Sequence, residues 1–249
     1  MNIPYQHMEI EQIYTQLFSE QQRAIAVCSA NAGEGVTSLA MALAQRNLLG
    51  GFATLVVDLN LYRPALKSLL SIDDVCCTEA DNRSPALPVN IKSHLLAAPQ
   101  LVSTQQSRLV ITGVTAPLRR ENIIKLRQPG ALEQCIAQWL QHYDRVIIDT
   151  SPLNRINAQN IPAERVAAAC DGALLIVLGG QTSEAMVSSA LKKLTTSDAQ
   201  LLGCVFNDRD NPSLKNELLR EVQRLGKFSW LSRPLKKFIN NNQLLTLER

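Results

Sequence analysis

At 249 residues, 46% hydrophobic and 19% charged, the chain has an ordinary globular composition with enough apolar content for one large core. Its net charge of +3, from 25 basic and 22 acidic side chains, is too small to argue for a nucleic-acid partner. No apolar run reaches the ~18 residues of a membrane span, and the polar N-terminus lacks a signal-peptide core.

Ile10, Ile13, Leu17 and Phe18 recur at helical spacing within the polar segment 1–22, which predicts a short amphipathic helix. That helix either packs on its own domain or contacts a neighbouring subunit of a homo-oligomer. Strands and helices then alternate. Strands are expected over Ala24–Ser29, Ala53–Leu59, Leu109–Gly113, Arg145–Asp149, Ala173–Leu178 and Leu201–Phe206. Helices are expected over Thr37–Leu49, Ala131–His142, Asn160–Cys170, Thr182–Leu194 and Ser213–Leu225, with Gly50-Gly51 stopping the first. The strands are short and apolar throughout rather than alternating, the pattern of a parallel sheet buried on both faces. The βαβα order makes this a three-layer α/β/α sandwich around a largely parallel sheet. Residues 71–107 have little periodicity and read as an irregular insertion. Six cysteines (28, 76, 77, 135, 170 and 204) form no C-x-x-C pair and read as reduced core residues of a cytoplasmic protein. Cys76-Cys77, in a polar stretch, fits that reading least well.

The chemistry gathers at three strand ends. The first strand runs into Ser29-Ala30-Asn31-Ala32-Gly33-Glu34-Gly35-Val36-Thr37-Ser38, and a helical pattern follows. Strand, glycine loop and helix together make a phosphate cradle, because backbone N–H groups and the helix N-terminus converge on an anion. Thr37 stands where a Mg²⁺-binding hydroxyl belongs, but Val36 fills the lysine position of G-x-x-x-x-G-K-[ST] and Ala30 its first glycine. The second strand ends at Asp58 and the fourth at Asp149. Carboxylates so placed hold Mg²⁺ or its waters in a P-loop protein. Gly33, Glu34, Gly35, Val36, Thr37 and Ser38 are therefore the candidate nucleotide contacts. Asp58 and Asp149 are the candidate catalytic residues, and with Thr37 they form the candidate metal set.

On these motifs the chain resembles the cytoplasmic catalytic domain of the bacterial tyrosine kinases (BY-kinases) of exopolysaccharide and capsule synthesis, within the MinD/ParA-like P-loop ATPases. The family loop S-A-x-P-G-E-G-K-[ST] corresponds to Ser29–Thr37, its D-A-D-L-R-R-P to Asp58–Pro64, and its Y-D-x-V-I-I-D-T-P-P to Tyr143–Pro152. The later D-G-x-L-L-V-V and L-G-x-V-x-N stretches correspond to Asp171–Val177 and Leu202–Asn207. The resemblance implies ATP or ADP with Mg²⁺ as cofactor and a sheet of about seven strands. It also implies an adenine contact at Asn207, and a membrane-embedded polysaccharide co-polymerase or secretion component as partner.

The departures weaken that inheritance. Besides Val36, Asn31 fills the place of the extra MinD/ParA lysine, Asn60 that of the second aspartate, and Ser151 that of a proline. No tyrosine follows Tyr143, so the tyrosine-rich tail of the kinases has no counterpart. Glu9–Phe18 lacks the arginine of the family's subunit-contact motif. Losing a charged hydrogen bond of about 1.5–3 kcal/mol weakens nucleotide binding roughly 10- to 100-fold, and hydrolysis suffers more. Arg63, Arg119 and Arg155 are candidate replacement cations. The tail beyond 214 is basic with interleaved Phe228, Trp230, Leu231, Phe238 and Ile239. It reads either as a packed helix with a loose end or as a contact with an anionic inner-membrane surface. Residues 1–249 are expected to form one P-loop domain with 1–22 as N-terminal segment, 71–107 as insertion and 227–249 as basic tail. Its expected function is regulatory or scaffolding, with weak or absent hydrolysis. The alternatives are an active atypical ATPase or kinase and a MinD/ParA-like membrane-positioning protein.

Overall fold

The computed structural model describes residues 6–18, 21–64, 100–103, 110–115, 117, 119–155 and 159–209, with Leu218, Val222 and Ile239. Seven strands are described: β1 (Ala24–Ser29), β2 (Thr54–Asp58), β3 (Gln100–Ser103), β4 (Val110–Val114), β5 (Arg145–Asp149), β6 (Gly172–Leu178) and β7 (Leu201–Asn207). The helices are α1 (Met8–Leu17), α2 (Val36–Leu49), α3 (Arg120–Leu126), α4 (Ala131–Trp139), α5 (Ala163–Ala169) and α6 (Glu184–Thr196). The sheet order is β3-β4-β2-β5-β1-β6-β7. β1 pairs in parallel with β5 and β6, and β2 in parallel with β4 and β5. β3 runs antiparallel to β4 at one edge.

The central strands are apolar throughout because both of their faces are covered. Ala24, Ala26 and Cys28 of β1 join Leu132, Trp139, Val166 and Leu194 in one cluster. Ile25 and Val27 turn the other way, to Ile10, Leu17, Leu39 and Leu43 of α1 and α2. Adjacent residues of one strand thus serve two cores, as side-chain alternation requires, and the layers are helix, sheet, helix.

α1 packs on its own chain. Ile10 and Leu17 are buried, Glu11 pairs with Arg46 of α2, and the Arg46 guanidinium lies 4.5 Å from the Tyr14 ring centroid. Arg145 at the start of β5 sits 5.1 and 4.9 Å from the Phe18 and Phe52 rings.

Several boundaries differ from expectation. β3 lies inside the segment read as an irregular insertion, and the rest of that insertion is outside the described residues. α3 was not expected. α5 starts at Ala163 rather than Asn160, because Pro162 disfavours helical backbone at Ile161 before it. α4 ends at Trp139 rather than His142. Cys28 and Cys135 are buried as expected, but Cys204 is exposed on β7.

By compactness the chain divides into two units. The first is Met1–Val177 with Thr182–Phe206; the second is Leu178–Gln181 with Asn207–Arg249. In the second, the Gly179 N–H donates to the Asn207 carbonyl at 2.8 Å, and Leu218 and Val222 have helical backbone. The expected basic tail 227–249 is outside the described residues apart from buried Ile239.

Candidate functional site: a glycine loop and two strand-end carboxylates

The loop between β1 and α2 is shaped by two glycines in left-handed backbone, Gly33 at φ +87° and Gly35 at φ +107°. A Cβ at Gly33 would meet nothing within 4 Å, so conformation rather than space requires glycine there. Gly35 is the N-cap of α2, and no side chain caps that helix. A helix N-terminus of this kind points its first-turn N–H groups toward an anion, the usual logic of a phosphate loop.

The loop is also braced from within. Glu34 is only 3% exposed. Its carboxylate accepts from the Ala30 N–H at 2.9 Å, the Asn31 side-chain amide at 3.3 Å and the Thr182 hydroxyl at 2.7 Å. The Glu34 side chain, a candidate nucleotide contact in the sequence, is thus committed to holding the loop. Val36 is the first residue of α2, directly after the Gly35 N-cap. It is 7% exposed and joins the apolar cluster of α1, α2 and the sheet. The loop has lost a cation and gained a core contact.

Thr37, Asp58 and Asp149 converge as the motifs implied. Asp58 and Asp149 are direct register partners on the neighbouring parallel strands β2 and β5, and both are fully buried. The Thr37 hydroxyl donates to Asp149 Oδ2 at 2.5 Å, and Asp58 Oδ1 accepts from the Asn60 N–H at 2.9 Å. Asp149 Oδ1 is buried without a hydrogen-bond partner. Burial first, and the Asp58 charge second, push the Asp149 carboxyl up to about 8, against hydrogen bonding from Thr37 and Asn60. Two adjacent buried carboxylates, one with an orphaned oxygen, suit a hard divalent cation such as Mg²⁺, whose ligands are oxygens. The donor set therefore fits the metal that the resemblance implies.

The segment after β5 ties the two halves of the site together. The Leu153 N–H donates to Ser29 O at 2.9 Å and the Asn154 N–H to Ala30 O at 3.0 Å. Ser151, which replaces a family proline, donates its hydroxyl to Leu59 O at 3.4 Å. Arg155, one candidate replacement cation, lies 5.0 Å from the Tyr62 ring centroid. Asn207 is in the second unit, where its side-chain oxygen accepts from the Arg209 N–H at 3.1 Å. Sequence reasoning missed Thr182, which braces Glu34 from 148 positions away. No short-range pattern could have revealed it.

No protein-family model matches the chain. Tyrosine-protein kinase CpsD of Streptococcus pneumoniae is 23% identical over 202 residues, covering 78% of this chain and 80% of CpsD. Tyrosine-protein kinase YwqD of Bacillus subtilis is 24% identical, covering 76% and 73%. The succinoglycan biosynthesis transport protein ExoP of Rhizobium meliloti is 23% identical over 86% of this chain and only 24% of its own length. Among solved structures, the kinase domain of Escherichia coli ETK superposes with a TM-score of 0.60 at 15% identity, covering 85% of this chain and 83% of that one. MinD of Pyrococcus horikoshii with Mg-ADP gives 0.52 at 20% identity, covering 76% and 72%. With those relatives the chain is a homologue of bacterial tyrosine kinases, and its fold is one shared with the ETK kinase domain and with MinD.

Proposed function

We propose that residues 1–249 act as one degenerate BY-kinase-like P-loop domain, a regulatory or scaffolding component of bacterial exopolysaccharide synthesis. It binds ATP or ADP with Mg²⁺ weakly, and hydrolyses ATP slowly or not at all. The relatives in capsule kinases and in a succinoglycan transport protein support the pathway. The observation that carries the reading is the pairing of a retained metal set, Thr37 with Asp58 and Asp149, with a buried valine at the lysine position.

In this reading Asp58 and Asp149 hold the metal and Thr37 orients Asp149. Mg²⁺, when bound, would neutralise the carboxylate pair and screen a phosphate chain. Gly33, Gly35 and Ser38 at the loop and first helical turn supply backbone donors, while Glu34 keeps the loop closed. The phosphoryl group receives no lysine charge where its transition state needs it, so turnover fails before binding does. The partner is a membrane-embedded polysaccharide co-polymerase or secretion component, met at the inner face of the membrane, with the basic tail as a surface contact and Asn207 as an adenine contact.

Calorimetric titration with ATP and Mg²⁺, beside a turnover assay, tests this. Weak binding that Asp149→Ala abolishes, with no turnover above background, is the expected result. Robust Mg²⁺-dependent turnover lost in Asp149→Ala would overturn it.

A further inference from the structure

Beside the segment after β5 lies a second recess, lined by polar and apolar residues, Leu153, Ile161 and Pro162 among the latter. It is a cavity of about 40 Å³, and Arg127, Ser151, Arg155, Asn160 and Glu164 contribute to its lining. One buried water needs ~10–15 Å³ on such a measure, so the space takes a small polar ligand. Asn160 is only 4% exposed, and its Nδ2 has no hydrogen-bond acceptor. A buried donor left this way is costly unless something arrives to accept from it.

The neighbouring groups indicate what would arrive. Arg127 Nε donates to the Asn160 carbonyl at 2.8 Å, which fixes one guanidinium beside the orphaned amide. Arg155 is held by its stacking on Tyr62. Among the described lining residues there are two guanidinium groups and one carboxylate, Glu164, a balance that favours an anion. Guanidinium forks bind both carboxylate and phosphate in bidentate fashion. Three donor groups from three different residues serve a tetrahedral oxyanion better than a planar carboxylate with two oxygens.

We propose that this cavity is a phosphate-group site distinct from the nucleotide cradle. Arg127 and Arg155 supply the charge, and Asn160 Nδ2 donates to one oxygen. The ligand is either free phosphate or the phosphomonoester of a larger molecule. The proposal does not depend on nucleotide binding, and the controls keep the two apart.

The full chain is titrated with inorganic phosphate and, separately, with phenyl phosphate, both without Mg²⁺. Binding is followed by calorimetry and by the Asn160 side-chain amide resonance. At least one probe is expected to saturate with a shift of that resonance. Arg155→Gln and Asn160→Asp should each weaken it roughly 10- to 100-fold, the loss expected for one charge-assisted contact; Thr37→Ala should leave it unchanged. Tighter binding of phenyl phosphate assigns the site to a phosphomonoester, and equal or tighter binding of inorganic phosphate to the free ion. Arg155 is exposed, so its variant keeps the test alive if Asn160→Asp fails to fold. Binding lost in Thr37→Ala but kept in Arg155→Gln, or no Asn160 shift with either probe at ~20 mM, enough to half-fill a site of ~20 mM Kd, overturns the proposal.

Discussion

Replacing Val36 by lysine should move stability and nucleotide affinity in opposite directions. Val36 is 7% exposed within the cluster that includes Ile10, Leu39 and Leu43. Withdrawing its side chain loses about 1.5–2 kcal/mol of burial, the low end for an aliphatic residue. It is also the first residue of α2, where a cation opposes the helix dipole at a cost of about 0.5 kcal/mol. The ligand-free variant should therefore be roughly 2 kcal/mol less stable. With ATP present the ammonium gains a charged acceptor worth about 1.5–3 kcal/mol, so affinity should rise roughly 10- to 100-fold. Urea unfolding, followed by Trp139 fluorescence in a Trp230→Phe background, measures the first quantity, since Trp139 is buried in the first unit. Calorimetry with ATP and Mg²⁺ measures the second. A variant as stable as the parent would show that Val36 is not part of the core. A destabilised variant with unchanged ATP affinity would show that the loop no longer holds a polyphosphate.

Glu34→Ala removes an acceptor used by the Ala30 N–H and the Thr182 hydroxyl, and should cost about 2–4 kcal/mol, with Glu34→Gln costing less; a urea midpoint within error of the parent would refute the brace. Because the Asp149 carboxyl is raised to about 8 in the fold, well above its unfolded value, the metal-free protein gains stability from its proton at low pH and loses it as pH rises through about 8. Thermal midpoints in EDTA should therefore fall across that window, Asp149→Asn should flatten the fall, and added Mg²⁺ should raise the midpoint most at high pH. Burial pushes the Cys28 thiol up to about 12, whereas Cys204 is exposed. Iodoacetamide at pH 8 should thus label Cys204 and spare Cys28 in the folded chain, as read by peptide mass spectrometry.

The parts of the molecule legible in the sequence are those whose causes are local. β1, β2 and β5 declare themselves because a strand buried on both faces must be apolar at every position, and Asp58 and Asp149 stand out as the charges that end such runs. Gly33 and Gly35 are legible for the same reason, since the loop needs left-handed backbone at fixed spacing. β3 escaped because four residues of edge strand carry too little pattern to show within a polar stretch, and α3 because its seven residues make only two turns. What the sequence hid entirely was direction. Nothing in Gly35-Val36-Thr37 says that the valine turns into the core while the threonine turns to Asp149. Nor does Glu34 reveal that its partner lies beyond β6.

Those two directions change what the missing lysine means. A phosphate loop that relies on its ligand keeps donors and a cation poised around empty space, and both are strained until an anion arrives. Here the Ala30 N–H already has an anion, the Glu34 carboxylate, and the lysine position is filled by a side chain that contributes to the core. These two contacts of the loop are thus made within the chain, without a nucleotide. The carboxylate pair is not relieved in the same way: Asp58 and Asp149 remain adjacent and buried, the Asp149 carboxyl is pushed up to about 8, and its Oδ1 is unpaired. The unmet electrostatic need of the site thus lies at its metal end rather than its phosphate end. A divalent cation, more than the nucleotide, should dominate the ligand-linked stability of the fold.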